Sequence, residues 1–191
     1  MNMTLFQVLN GLTFAALLFV VASGFTLIFG VARILNLAHG SFYALGAYAA
    51  ASFVGWASAM KWAPGYTLVA MLLAAVAVAA IVAPLTERGL LRFFYGRDEV
   101  LLVLVTYAMF LIMEDVTKLI WGANPYYVSE PYGLFGNIDI GSQSYVGYDL
   151  FLMAVGPLVL GLLWLGLHRT RWGTLVRAAT QDRGMVGALG V

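Results

Sequence analysis

Asn36 and His39 stand three residues apart in the run Gly30-Val31-Ala32-Arg33-Ile34-Leu35-Asn36-Leu37-Ala38-His39-Gly40-Ser41, between two apolar stretches. That spacing puts both on one helical face. Embedded in a membrane they would be candidate functional groups, because polar side chains are costly to keep in lipid. The other reading is structural: Asn36, His39 or Ser41 could bond the free amide groups at a helix start. A second group is Glu114 and Asp115 with Lys118, in which Glu114 and Lys118 have the favourable i, i+4 order. Buried, these carboxylates would line a polar route; near the interface they would be a solvated helix end. In a third segment, His168 to Val191, Trp172, Leu175 or Val176, and Ala179 recur at helical spacing, and Arg171, Thr174, Arg177 and Gln181 mark another face. The pattern predicts an amphipathic helix, suited either to a lipid surface or to docking a partner protein.

Other chemistries lack their residues. There is no G-x-x-x-x-G-K-[ST] loop for nucleotide, no H-E-x-x-H, no G-x-S-x-G and no His–carboxylate cluster suited to a metal. Without cysteine there is no disulfide framework and no thiolate ligand or nucleophile. His39 and Ser41, two apart, do not share a helical face. The residues therefore predict neither an enzyme nor a bound cofactor.

The elements that must position these groups follow from composition. The chain has 191 residues, 62% hydrophobic and 10% charged, with a mean hydropathy of +0.90. Soluble chains carry about 25% charged residues, so 10 basic and 9 acidic side chains cannot supply a polar skin. A net charge of +1 gives no bulk attraction to nucleic acid. Twelve Phe, 10 Tyr and 5 Trp exclude disorder. An integral membrane protein remains.

The apolar runs are of helical length, about 20 residues being needed to cross, and lack the alternation of a barrel. Five spans are expected, at roughly 5–30, 40–60, 65–86, 99–121 and 148–168, giving an all-α polytopic fold with a single domain over 1–191. No Lys or Arg precedes Arg33, so the first run reads as a retained span, not a cleavable signal.

With five spans, Arg33, then Arg88, Arg92 and Arg97, then Arg169, Arg171, Arg177 and Arg183 fall on one side, against Lys61 and Lys118 on the other. That side should be cytoplasmic and the N-terminus outside. The stretch at roughly 122–147 is then an external loop holding Glu130, Asp139, Tyr126, Tyr127, Tyr132 and Tyr145. Small residues at four-residue spacing mark candidate packing faces, Ala47-Ala51-Gly55 and Ala75-Ala79-Ala83. Pro157 inside the fifth run reads as a structural kink.

Residues 24–50, GFTLIFGVARILNLAHGSFYALGAYAA, resemble the N-terminal region of permease subunits of branched-chain amino-acid ABC importers. Asn36, Ala38, His39 and Gly40 match the family's N-[FL]-A-H-G run position for position. The stretch Arg177 to Val191 is similar to its cytoplasmic coupling segment, with Arg177, Ala178, Ala179, Asp182 and Gly190 at matching positions. The resemblance covers essentially the whole chain. It implies a bacterial inner-membrane permease that pairs with a second permease subunit, is driven by cytoplasmic ATP-binding subunits and receives solute from a periplasmic binding protein. The cargo would be a branched-chain amino acid or a related small polar solute such as urea or a short amide. Glu114 and Asp115 remain the candidates for a polar pathway. Family members continue through further spans after the coupling segment, so a partial or truncated chain is expected. A stand-alone channel or secondary transporter is the alternative.

Overall fold

Runs of Leu, Val, Ala and Phe can satisfy their backbone in lipid only by bonding along their own helix, and long helices result. The computed structural model describes residues 2–63, 65–124, 127–140 and 143–181. The elements in chain order are α1 (Asn2–Ala32), α2 (His39–Ala59), α3 (Tyr66–Gly89), α4 (Glu99–Trp121), α5 (Glu130–Gly133), β1 (Asn137–Ile140), β2 (Gln143–Val146), α6 (Gly147–Arg169) and α7 (Arg171–Gln181). Among the described residues four helices are long and apolar enough to cross a bilayer: α1, α3, α4 and α6. The protein is thus polytopic and helical. The expectation of five spans exceeds this by one. Helix α2 has the length, with 21 residues, but His, Ser, Gly and Tyr dilute its apolar character. Within the expected external loop, β1 and β2 pair as a short two-stranded ribbon.

The chain divides into two units. In the first, α1 and α6 lie side by side and α7 packs on both. The Thr13 hydroxyl, near the start of α1, reaches the Asp149 carbonyl at 3.3 Å and the Tyr145 hydroxyl at 3.4 Å. Phe6 adds a tilted ring contact on Tyr145, with centroids 5.6 Å apart. Further along, a Cβ built on Gly156 would stand 3.0 Å from the Ala16 Cβ. The two backbones therefore approach as closely as they do because position 156 has no side chain. Pro157, the next residue, cannot donate to the carbonyl four residues back.

In the second unit, α2 and α3 form an antiparallel hairpin. Lys61 turns it in the left-handed region (φ 57°), and the Lys61 and Trp62 amides return to the Ser58 and Ala57 carbonyls. The buried positions are Ala50, Val54 and Ala57 on α2, and Ala70, Ala74 and Thr86 on α3. These are not the expected stripes. Ala47, Ala75, Ala79 and Ala83 are exposed, and Ala51 and Gly55 are half-buried. The α3 contact lies one residue earlier in register, and an apolar face is left outward.

Helix α4 runs parallel to α2, burying Leu102, Thr106 and Met109. At its far end Trp121 donates from Nε1 to the Ser52 hydroxyl (2.6 Å) and packs on the Tyr48 ring (5.3 Å between centroids). Its start is capped by Asp98, whose carboxylate accepts from the Val100 amide at 3.4 Å.

A larger side chain at Gly156 should separate α1 from α6. Gly156→Leu is expected to destabilise the protein by about 1–3 kcal/mol through overpacking, with part recovered in combination with Ala16→Gly. Thermal unfolding in detergent measures both.

Candidate functional site

The chain between α1 and α2 leaves helical geometry at Arg33 (φ 53°) and resumes it at His39. The intervening residues 34–38 belong to the second unit and lie against the side of α4. Their partner there, Thr106, is seven residues into α4, about 10 Å along its axis. A helix of 23 residues is about 34 Å long against a hydrocarbon layer of about 30 Å. With α4 centred on such a layer the break would lie inside its apolar zone, where every backbone group needs a protein partner.

Two side chains supply them. Asn36, 4% exposed, turns its Oδ1 onto the Ala38 amide at 3.0 Å, forming a local Asx turn. Its own carbonyl accepts from the His39 amide (3.2 Å), and the Ala38 carbonyl accepts from Ser41 (3.0 Å) and Phe42 (3.3 Å), which starts α2. From α4, the fully buried Thr106 donates from its hydroxyl to the Leu35 carbonyl at 3.2 Å and accepts from the Leu37 amide at 3.3 Å. Of the two roles open to Asn36, the geometry here is the backbone-satisfying one. Ala38 is completely buried, His39 half-buried and Gly40 exposed. No sequence signal marked Thr106, because a lone threonine in an apolar run carries no periodicity of its own.

Glu114 and Asp115 are elsewhere on α4. Glu114 receives Lys118 Nζ at 2.6 Å, and Asp115 is 4.0 Å from the same ammonium. The side chains are 44%, 76% and 53% exposed for Glu114, Asp115 and Lys118. Within this unit they form an outward-facing ion pair and are not gathered with Asn36 or Thr106. Among the described residues no three His, Asp or Glu are placed to hold a metal.

The amphipathic segment belongs to the first unit. Thr170 ends α6 in an extended conformation and caps α7, its hydroxyl accepting from the Gly173 amide at 3.0 Å. Gly173 is buried, and a Cβ there would strike the backbone carbonyls of Gly166 and Leu167. Only glycine lets α7 fold back so tightly on α6. Thr180, further along, has its methyl group 3.8 Å from the Cβ position of Gly30 on α1, and its carbonyl accepts from the Arg33 guanidinium at 3.5 Å. The packed face is Gly173, Val176, Ala179 and Thr180. Trp172, expected on the apolar face, is 79% exposed and Leu175 is 37% exposed. The face left outward thus combines Arg171, Trp172, Thr174, Leu175 and Arg177. Ala178 is half-buried; Asp182 and Gly190 lie outside the described residues.

The family model for the permease component of branched-chain amino acid transport systems matches residues 7–191. A high-affinity branched-chain amino acid transport system permease protein, BraD of Pseudomonas aeruginosa, is 27% identical over 194 aligned residues, covering 97% of this chain and 62% of BraD. The LivH permease proteins of Escherichia coli and Salmonella typhimurium are each 22% identical over 189 residues, covering 97% of this chain and 61% of theirs. The chain thus spans about three fifths of the length of these relatives. No solved structure matches it.

Asn36→Ala would leave the buried Ala38 amide without its acceptor, an expected loss of about 1–3 kcal/mol, whereas Asn36→Ser, able to form the shorter hydroxyl turn, should lose less. Unfolding in mixed micelles reads the difference. Gly173→Ala should release α7 from α6, seen as faster protease cleavage after Arg177 with the membrane helices intact.

Proposed function

Since the chain belongs to the family of permease components of branched-chain amino acid transport systems, we propose that it forms part of the membrane pathway of an ATP-driven importer for branched-chain amino acids or a related small polar solute. The observation that carries this reading is the family match over residues 7–191, which takes in both the Asn36–Gly40 run and the stretch from Arg177. The relatives BraD and LivH are named as branched-chain amino acid permeases. In this reading the chain supplies pathway walls and no covalent chemistry, and hydrolysis of ATP belongs to separate subunits.

The proposed assembly joins this chain to a second permease subunit, cytoplasmic ATP-binding subunits and a periplasmic solute-binding protein. It sits in the bacterial inner membrane with its N-terminus outside, as the eight-to-two division of Arg and Lys favours when α2 also crosses as a fifth span. Arg177, Ala178, Ala179, Asp182 and Gly190 are the proposed coupling positions. What supports this role for α7 is its anchoring. Gly173 seats it against α6 and Thr180 against α1, so a pull on its outward Arg171–Arg177 face is passed to two long helices as a rigid-body displacement. Asn36 and Ala38 in the break, with His39 and Gly40 opening α2, form the proposed structural junction between α1 and α2. Glu114 and Asp115 would line a polar route only where a neighbouring chain covers that face of α4.

The full-length protein carrying Arg177→Ala and Asp182→Ala should insert normally yet lose most of its solute-stimulated ATPase activity with its ATP-binding partners. Unchanged stimulation would remove the coupling role. Solute uptake that persists without ATP in proteoliposomes would overturn the importer reading.

A further inference from the structure

Thr106 offers one hydroxyl proton to two carbonyls. Val103, one turn earlier in α4, accepts at 3.0 Å, and Leu35, in the break, accepts at 3.2 Å. The same oxygen accepts the Leu37 amide at 3.3 Å. Among the described residues, both hydrogen bonds between positions 34–38 and α4 pass through this one side chain. The remaining bonds of the break are internal or run to the start of α2: Asn36 Oδ1 to Ala38, the Asn36 carbonyl to His39, and the Ala38 carbonyl to Ser41 and Phe42.

We infer that Thr106 is a latch with two positions, holding residues 35–37 against α4 in one and bonding only within α4 in the other. The asymmetry of cost is what makes it a latch. Leaving a buried donor unpaired is the expensive event in breaking a hydrogen bond. Here the hydroxyl falls back on Val103, so undocking costs no bond on the α4 side and releases only the Leu35 carbonyl and the Leu37 amide, which must find other partners. On the other side the segment keeps its Asx turn and can move as a preformed unit. A valine, equal in shape, could serve neither position: it would leave Leu35 O and Leu37 N without partners in the docked state and remove the reason to dock. Thr106 is thus a positioning residue for the break. Its action on transport is through residues 35–37.

The latch can be tested apart from the transport reading on which its role in a cycle rests. Backbone hydrogen exchange is followed in the full-length protein in lipid nanodiscs, as the unsubstituted chain, Thr106→Ser and Thr106→Val. The unsubstituted Leu37 amide should exchange at least about tenfold faster than the core amides of α4, because it opens locally and not by global unfolding. Thr106→Val should speed Leu37 by about tenfold more while α3 stays protected, and Thr106→Ser, which keeps the hydroxyl, should stay close to the original rate. Leu37 exchanging at the α4 rate in the unsubstituted chain would overturn the latch even if the valine variant fails to fold. So would a valine variant no faster than the serine one. In the assembled importer, Leu37 exchange should differ between ATP-trapped and nucleotide-free states; equal rates would remove the latch from the cycle. A failure of ATP to drive uptake would count against the transport reading and leave the exchange arms standing.

Discussion

A peptide group inside a bilayer has no water to bond, so any interruption of a helix there must be satisfied by other parts of the protein. The rest of the second unit follows from this constraint at residues 34–38. The Asn36 side chain closes the turn from within, and Thr106 reaches it from α4. Docking there sets the level of α2 relative to α4. The same parallel offset brings Ser52 beside Trp121 at the other end, leaving the last seven residues of α2, about 10 Å, beyond the end of α4. The hairpin tip with Trp56, Trp62 and Tyr66, joined edge to face at 5.6 and 6.3 Å, is carried out with it. Rings of this type, apolar in body with a polar edge, suit a membrane–water boundary.

Close approach of backbones is the second organising fact, and it operates in each unit separately. Lipid tails are as apolar as leucine, so helices gain little by hiding apolar surface from lipid and associate where small residues allow tight van der Waals contact. Gly156 against Ala16 serves α1 and α6; Ala50 and Ala57 with Ala70 and Ala74 serve α2 and α3. Gly173 does the same work at a turn, where it admits α7 beneath α6. The outcome of that turn is functional in the proposed reading. A helix with two cations and an indole turned outward and its small residues turned inward can meet a partner without losing its seat.

Charge has a smaller part. The Glu114–Lys118 pair is exposed, and ion pairs of that kind add little at a surface. Its residues gain weight only if a neighbouring chain removes them from solvent, where charged groups are costly and selected for function.

The residues alone determined that this chain crosses a membrane as helices, because 62% hydrophobic composition in unbroken runs admits no other solution. They determined an amphipathic terminal helix, and a boundary between the first two apolar runs at roughly 30–40, which holds the N-L-A-H-G residues. Contacts made at a distance in the chain decided the rest. Thr106 lies about 70 positions from its partners and gives no local pattern. In a soluble helix the buried face is announced by polarity, but here both faces are apolar, so the choice of Ala70-Ala74 over Ala75-Ala79-Ala83 was invisible until α2 lay against α3. Trp172 turned outward for a related reason: the Gly173 turn, not the hydrophobicity of the indole, fixes how α7 is rotated. Local sequence records what a segment prefers; only packing says which of its equally apolar sides meets the protein.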